Sequence, residues 1–156
     1  MISFLQTYGV VFLLSMVPVA ELRAAIPAGI AMGLEPWAVL LVSVLGNMVP
    51  VPLILLLIRG IFRWFLRLGG VFARIVNWLE RKAAKKASLL YRYELLGLVI
   101  LVAVPLPGTG AWTGALVAAM LEIRMKTAVP AILLGVCIAG CIVLALSCGV
   151  GMLFSA

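Results

Sequence analysis

Long stretches without a charged side chain limit what this chain can fold into. Mostly apolar, uncharged runs cover residues 1–20, 24–34, 36–58, 95–121 and 127–156. Hydrophobic residues make up 66% of the 156 and charged residues 11%, and a soluble globule of that size could not bury so much apolar surface. Several runs reach the ~20 residues that cross the hydrocarbon core of a bilayer. The sequence therefore predicts an all-α integral membrane protein.

The basic residues are concentrated in the middle of the chain. Nine of the twelve lysines and arginines lie between Arg59 and Arg92, with a single acid, Glu80. Their spacing predicts an amphipathic helix that lies on anionic lipid headgroups along 59–92, and it argues against nucleic acid as a partner. Positive charge beside membrane segments is typical of the cytoplasmic side. We therefore expect a cytoplasmic linker and both termini outside, in the inner (plasma) membrane.

A comparison of the chain with itself indicates an internal duplication. We expect one membrane domain, 1–156, made of repeat one (1–58), the linker (59–93) and repeat two (94–156). At an offset of 87 residues the recurring positions are Leu14, Val17, Pro18, Ala24, Ala28, Leu34, Glu35, Val42, Val49 and Leu57, which match Leu101, Val104, Pro105, Ala111, Ala115, Leu121, Glu122, Val129, Val136 and Leu144.

Each half contains a hydrophobic hairpin and then one long apolar helix, at 1–34 and 37–58 and again at 95–121 and 127–152. The second arm of the first hairpin, 24–34, would span about 16 Å as a helix, which is short of a ~30 Å bilayer core. We therefore predict two inverted repeats, each a re-entrant helical hairpin followed by a transmembrane helix. Hairpins that span the membrane fully would give the same orientation, so that alternative stays open.

The first hairpin contains an acid and a base where charged groups are costly. Glu21 and Arg23 lie between Pro18 and Pro27, which interrupt backbone hydrogen bonding. Irregular backbone at membrane depth is tolerated where it is buried in protein or lines a wet cavity. Glu21 can carry a proton or bind a cation, and Arg23 can hold an anion or pair with Glu21. This loop is the leading candidate for a substrate and proton site.

The second hairpin has bare backbone and hydroxyl groups at the corresponding place. We expect the two loops to approach each other and form one site. The candidate residues of the second loop are Pro105, Pro107, Gly108, Thr109, Gly110, Trp112 and Thr113. Asn47, Pro50 and Pro52 interrupt the first long helix, and they either kink it around the same cavity, with Asn47 and Pro50 as candidate lining residues, or merely reflect packing. We expect no metal site and no cofactor.

Two segments resemble the small multidrug export protein family. They are the Pro-x-x-Glu-x-Arg-x-x-Ile-Pro segment at 18–27 and the Pro-Leu-Pro-Gly-Thr-Gly-Ala-Trp-Thr-Gly segment at 105–114. That family looks related to the DedA superfamily, whose paired re-entrant loops are associated with proton-dependent transport and lipid movement. The resemblance implies a transporter-like role and extends it to Glu21 and Arg23. The second segment here lacks the arginine that DedA members typically hold there.

The sequence favours a proton-coupled secondary transporter or exporter of a small amphipathic or cationic substrate. One alternative is a lipid translocase of the polyprenyl-phosphate type, and another is an assembly factor without transport. An enzyme is not expected, because the absence of His and Asp removes the zinc, Ser-His and paired-aspartate mechanisms. Because two full spans bury little against themselves, we expect a homodimer.

Overall fold

The computed structural model describes residues 2–68, 95–106 and 109–154, and these contain helices and no strand. This confirms the all-helical prediction. Most of the predicted linker, with Pro107 and Gly108, lies outside the described residues. The helices are α1 (Ile2–Met16), α2 (Glu21–Ala31), α3 (Pro36–Met48), α4 (Pro50–Leu68), α5 (helical residues 95–103), α6 (Ala111–Met120) and α7 (Met125–Phe154).

Within the described residues, two helical stretches are long and apolar enough to cross a membrane, and they agree with the two predicted long helices. One is Pro36–Ile61, made of α3 and the first part of α4, and the other is Met125–Gly149 within α7. The shorter helices α2 and α6 have 11 and 10 residues. Each short helix follows another apolar helix and precedes a candidate span, which is the order of elements predicted for both halves.

A bend at Val49 separates α3 from α4, where the sequence predicted an interruption. Pro50 and Pro52 have no backbone N–H, so neither can donate to the carbonyl four residues before it. The Gly46 carbonyl instead accepts from the Val49 N–H at 3.3 Å, which tightens the last turn of α3. The prolines therefore break the helix while the chain continues in nearly the same direction as one candidate span.

The linker prediction differs from the structure at its start. A separate amphipathic helix was expected from residue 59, but α4 continues without a break through Leu68. The Arg59 guanidinium, expected on the lipid-facing basic stripe, donates to the Ile123 carbonyl at the end of the second hairpin. The first basic residue of the linker therefore ties α4 to the α6–α7 turn.

The two short helices end in the same way. After α2, Gly33 has a φ of +77°, and the Leu34 N–H donates to the Gly29 carbonyl at 3.1 Å. After α6, Glu122 has a φ of +55°, and the Ile123 N–H donates to the Ala118 carbonyl at 3.0 Å. Both are Schellman-type ends, in which a left-handed residue lets the chain reverse and satisfies the last carbonyls.

Close glycine contacts hold each hairpin against its long helix, and they correspond between the halves. A Cβ at Gly46 would lie 2.6 Å from the Phe12 carbonyl oxygen, and one at Gly135 would lie 2.9 Å from the Val99 carbonyl oxygen. Gly46 and Gly135 are 89 residues apart, whereas Phe12 and Val99 are 87 apart. The second loop is therefore two residues longer than the first, and the gapless offset of 87 fits α1 and α5 only.

The halves pack on each other through α7. Gly140 lies against α2 and α3, since a Cβ there would be 2.6 Å from Leu40 Cδ1 and 3.9 Å from Ile26 Cδ1. The helix α4 packs in turn on α6. One continuous apolar core joins both halves, and it brings the two hairpin loops to the same place.

Candidate functional site

The Arg23 side chain joins the two hairpin loops. It leaves the first turn of α2 and donates through Nη2 to the Val104 carbonyl at 3.1 Å and to Thr109 Oγ1 at 3.0 Å. Its Nη1 donates to the Leu106 carbonyl. These acceptors all belong to the second loop, which confirms that the loops approach each other. A guanidinium suits this role because its planar fork holds several donors in fixed directions.

The Thr109 hydroxyl completes the turn that Arg23 holds. Thr109 Oγ1 lies 2.8 Å from the Val104 carbonyl oxygen and 2.9 Å from the Leu106 carbonyl oxygen, and the Thr109 N–H donates to the Leu106 carbonyl at 3.2 Å. The hydroxyl has one proton, so it donates to one of these carbonyls at a time while accepting from Arg23. Free carbonyls that would be costly in an apolar setting are thereby satisfied by two side chains.

Glu21 is the acid of the site, and its carboxylate is almost enclosed. The residue is 5% exposed, and Oε1 accepts from the Trp112 backbone N–H at 3.4 Å, which is a long hydrogen bond. It does not pair directly with Arg23, whose Nη1 and Nη2 donate to the second loop, so the predicted alternative of a purely structural ion pair is not what the structure contains. The carboxylate therefore keeps capacity for a proton or a cation.

The backbone is strained where the carboxylate meets the second loop. Glu21 has a φ of +48°, a left-handed value that a residue with a Cβ adopts at a cost. Gly110 opposite has a φ of +152°, and a Cβ on it would lie 1.9 Å from Glu21 Oε2. Only glycine fits at 110 while the carboxylate occupies this position. The two residues therefore pack directly against each other across the loops.

Trp112 makes a second connection, in the opposite direction. Its indole Nε1 donates to the Met16 carbonyl at the end of α1, at 3.1 Å. Arg23 thus reaches from α2 to the loop after α5, and Trp112 reaches from α6 to the end of α1. Each short helix contributes one side chain that satisfies a carbonyl of the other half.

The remaining predicted loop residues differ in how far they are buried. Pro18 is exposed in the first loop, Pro27 is exposed within α2, and Pro105 and Thr113 are half-buried. The role of these residues in a substrate site stays a prediction, and so does the role of Pro107 and Gly108.

A buried polar group on α3 extends beyond the sequence prediction. Asn47 is 1% exposed, and neither Oδ1 nor Nδ2 has a hydrogen-bond partner in the described structure. Pro50 is also buried. The sequence reasoning missed Ser43, which is 0% exposed with an unpartnered Oγ, and the buried Ser15 on α1. The available signal was the four-residue spacing of Ser43 and Asn47, which puts them on one helical side.

No group of three or more Cys or Glu side chains within 2–68, 95–106 and 109–154 could hold a metal ion. The three cysteines, Cys137, Cys141 and Cys148, are free thiols on α7.

Two apolar helical stretches of spanning length, with two helical hairpins joined by side-chain hydrogen bonds, are the features of a helical membrane protein. The chain matches the small multi-drug export protein family over residues 21–142, and it belongs to that family. The family's description names a proposed export activity and indicates a transporter rather than an enzyme. Neither the curated proteins nor the solved structures compared with the chain include a match.

Proposed function

We propose that this protein exports a small amphipathic or cationic molecule in exchange for protons, through the site where the two hairpin loops meet. The observation that carries this proposal is the Glu21 carboxylate, which is 5% exposed and has one long hydrogen bond from the Trp112 N–H. An intramembrane acid without an ion pair is expensive to keep charged. The Glu21 carboxylate therefore favours binding either a proton or a cation. Competition between these two for one group is what exchange transport requires.

Glu21 has the chemistry of the exchanging group. When its carboxyl group is protonated it is neutral and releases a cationic substrate, and when it is deprotonated it attracts one. Glu21 and Gly110 lie at the point where the halves touch. A small rotation of one hairpin against the other would uncover the carboxylate toward one side of the membrane and then the other.

Arg23 acts in this proposal as a positioning residue. Three of its hydrogen bonds go to the second loop, while its Nε–H is buried without a hydrogen-bond partner in the described structure. A lipid phosphate would have to displace the Val104 and Leu106 carbonyls, and for this reason we place cation export ahead of lipid translocation.

Two inverted repeats with re-entrant hairpins are the architecture that this mechanism needs. The 11 residues of α2 and 10 of α6 span roughly 16 Å and 15 Å, about half of a ~30 Å bilayer core. The matching helix ends and the matching Gly46 and Gly135 contacts support a duplication. With the basic linker in the cytoplasm, both termini lie outside and the two loops enter from opposite sides.

Anionic lipid and a second copy of the chain are the partners that fit this arrangement. The linker residues 59–92 would bind lipid headgroups at the inner (plasma) membrane surface, as in the sequence analysis. A homodimer would cover part of the apolar surface along α3 and α4, where Leu41, Leu45, Leu53 and Leu57 are exposed.

Flux into liposomes tests the proposal. Purified protein is reconstituted with an imposed pH gradient, and uptake of ethidium, a fluorescent amphipathic cation, is followed. We expect Glu21→Gln to lower the initial rate at least ~10-fold, because the amide cannot exchange a proton or attract a cation. Glu35→Gln is the matched control, since Glu35 is an exposed acid on the same hairpin.

Equal uptake by Glu21→Gln and the unchanged protein would contradict the proposal. Transbilayer movement of labelled polyprenyl phosphate without ethidium uptake would favour a lipid translocase instead. If both activities are absent and replacing Glu21 and Arg23 by Gln and Met leaves cellular function intact, the chain is an assembly factor.

A further inference from the structure

The N-terminus of α6 is capped by a side chain from the other half of the chain. Its own N-cap residue is Gly110, which has no side chain to offer. An N-cap side chain usually accepts from the N–H two or three residues further on. Here Glu21 Oε1 accepts from the Trp112 N–H, and a Cβ at Gly110 would lie 1.9 Å from Oε2 and 2.6 Å from both Cδ and Oε1. The Glu21 carboxyl group therefore occupies the place of the missing N-cap side chain.

The enclosed position suits a neutral carboxyl group better than a charged one. The hydrogen bond from the Trp112 N–H is 3.4 Å long, whereas charge-assisted hydrogen bonds are typically ~2.7–2.9 Å. A buried charge without a close partner is costly. Burial is also the largest influence on the protonation of Glu21, ahead of the Trp112 amide and the Arg23 charge. A charged Glu21 would therefore be driven toward water or a cation.

Backbone strain is concentrated at the same contact. Glu21 has a φ of +48°, and Gly110 has a φ of +152° with a ψ of −163°, a region open essentially to glycine alone. Strain of this kind persists where surrounding contacts hold it, and it is found at switch regions. Once the carboxyl group leaves its enclosed position, the strained contact has nothing to hold it closed.

The loop before Gly110 is held independently of the acid. Arg23 donates to this loop at three points, and a guanidinium group keeps its charge at all working pH values. The Thr109 N–H donates to the Leu106 carbonyl at 3.2 Å, whereas the Gly110 carbonyl accepts from the Gly114 N–H at 2.8 Å. Thr109 therefore belongs to the anchored loop and the Gly110 carbonyl to α6, which makes Gly110 the hinge between them.

The later part of α6 is fixed by packing. A Cβ at Gly114, its fourth residue, would lie 2.5 Å from Val102 Cγ2 on α5. Beyond the end of α6, the Arg59 guanidinium donates to the Ile123 carbonyl. The part of α6 that can move while the rest stays in place is its first turn, residues 111–113.

We propose that the first turn of α6 is a gate, closed over Glu21 while the carboxyl group is neutral and opened about Gly110 when the group is charged. On opening, the Trp112 N–H leaves Glu21 Oε1 and the indole leaves the Met16 carbonyl. The inference rests on the proposed function for its purpose, because an open gate lets a cation reach the charged carboxylate and a closed gate retains the proton.

Few other groups near Glu21 can respond to pH. The helix α2 packs on α1, α3 and α7. Its other charged side chain is Arg23, α3 and α6 have none, and α1 has the Tyr8 phenol. Guanidinium and ammonium groups stay charged, and phenols and thiols stay mostly neutral, between about pH 5 and about pH 8. A change in α6 over this range therefore reports a carboxyl group. The titratable groups on α7 are Lys126, Cys137, Cys141 and Cys148.

Hydrogen–deuterium exchange of the full-length protein in detergent tests the gate. Exchange is read by mass spectrometry at about pH 5 and about pH 8, corrected for the intrinsic effect of pH on exchange, in peptides that separate 103–109 from 111–116. We expect the amides of 111–114 to exchange at least about tenfold faster at the higher pH, because a tenfold difference in proton affinity between the closed and open states changes their ratio tenfold. The loop held by Arg23 should exchange equally at both.

Two substitutions assign the effect to one carboxyl group. Glu21→Gln is neutral at every pH, so the first turn of α6 should stay protected at both values. Glu35→Gln removes an exposed acid of the same hairpin and should keep the pH dependence of the unchanged protein. The response of the unchanged protein tests the gate even if Glu21→Gln folds poorly.

Equal protection of α6 at both pH values, or faster exchange at the lower one, would overturn the gate. A pH response that survives in Glu21→Gln would overturn it too, and so would loss of protection in 103–109 together with α6. Ethidium uptake that depends on Glu21 while α6 ignores pH would remove the gate and leave the proposed function standing. A pH-dependent α6 without any ethidium uptake would leave the gate in place, and the proposed function would fail.

Discussion

The two hairpins put different chemistry into corresponding positions. At the shift of 89 residues that relates the long helices, Glu21 of α2 corresponds to Gly110 before α6, and Arg23 corresponds to Trp112. Glycine removes a side chain where glutamate supplies one, so the carboxylate fits against the opposite backbone. Arg23 and Trp112 both satisfy carbonyls of the other half. The comparison shows how two similar hairpins can present a charged loop, with Glu21, and an uncharged loop, with Gly110, that fit together.

Adding a methyl group at Gly110 of the second loop should have the largest effect on stability. In Gly110→Ala the new Cβ would lie 1.9 Å from Glu21 Oε2, at a φ of +152°. Backbone strain and overpacking each cost ~1–3 kcal/mol, so we expect the free energy of unfolding to fall by about 3 kcal/mol or more. Denaturant titration in mild detergent measures this.

Gly9→Ala is the matched control for this substitution, because nothing lies within 4 Å of a Cβ there. It should be neutral or stabilising by up to ~1 kcal/mol, the usual gain from Gly to Ala inside a helix. The double variant Glu21→Gly with Gly110→Ala should recover part of the loss, because the collision is removed and the backbone strain stays. Equal behaviour of Gly110→Ala and Gly9→Ala would break the comparison between the loops.

Removing the Arg23 clamp should have the next largest effect. Arg23→Met removes the guanidinium donor from the Val104 and Leu106 carbonyls and from the Thr109 hydroxyl, and the two carbonyls keep only the donors of Thr109. Hydrogen bonds to charged groups are worth ~1.5–3 kcal/mol when buried, and this guanidinium is half-buried, so we expect a loss of about 2–4 kcal/mol in unfolding free energy.

Arg23→Lys should recover a minor part of the loss caused by Arg23→Met, because an ammonium group keeps the charge without the planar fork. Lys126→Met, which removes an exposed cation, should change the unfolding free energy by no more than ~0.5 kcal/mol. If Arg23→Met unfolds like Lys126→Met, the loops do not depend on this contact.

The sequence predicted the parts of this structure that depend on local pattern. The apolar runs indicated both long helices, and the prolines around residue 50 indicated the bend at Val49. Charge in an apolar hairpin singled out Glu21 and Arg23, because such groups need partners. Which partners they have was beyond the sequence, since backbone carbonyls such as that of Leu106 carry no residue-type signal.

The exact alignment of the two halves was the other feature that the sequence did not predict. Matching Leu-Glu pairs favoured an offset of 87, and the two additional residues of the second loop are invisible in apolar sequence where Leu and Val coincide by chance. The buried Ser43 was missed for a related reason, because one hydroxyl scarcely alters the apolar character of a helix. The structure identifies it by its complete burial and its unpartnered hydroxyl.

Two glycines in corresponding positions test whether the halves pack alike. A Cβ at Gly46 would lie 2.6 Å from the Phe12 carbonyl oxygen, and at Gly135 it would lie 2.7 Å from Val102 Cβ. We expect Gly46→Ala and Gly135→Ala each to lower the melting temperature, at a cost of about 1–3 kcal/mol. The larger loss should be at Gly46, because the nearest carbonyl oxygen would lie 2.6 Å from the new Cβ there and 2.9 Å from it at Gly135.

Gly97→Ala on α5 has open space around the new Cβ, and its melting temperature should not fall. A loss at Gly46 with none at Gly135 would show that the two hairpins do not approach their long helices equally closely. The correspondence between the halves would then be limited to the loops.

The smallest expected effect is that of a substitution at Glu122, and it distinguishes the offset of 87 residues between the halves from the shift of 89. At an offset of 87 Glu122 matches Glu35, but the helix ends match it with Gly33, because Glu122 has a φ of +55° and Gly33 of +77°. A residue with a Cβ in the left-handed region costs ~1–2 kcal/mol relative to glycine. Glycine also raises the conformational entropy of the unfolded chain, and this offsets part of the gain in stability. Glu122→Gly should therefore stabilise the protein by about 0.5–1 kcal/mol, measured as a rise in melting temperature in detergent.

Glu35→Gly should give no such gain, because Glu35 has a φ of −62° and ψ of 124°, an extended conformation suited to any residue before Pro36. It should even be slightly destabilising, since glycine frees the unfolded chain at a position where the folded chain needs no freedom. If the two substitutions have the same effect, the gapless alignment is the better one, and the correspondence of Glu21 with Gly110 loses its basis.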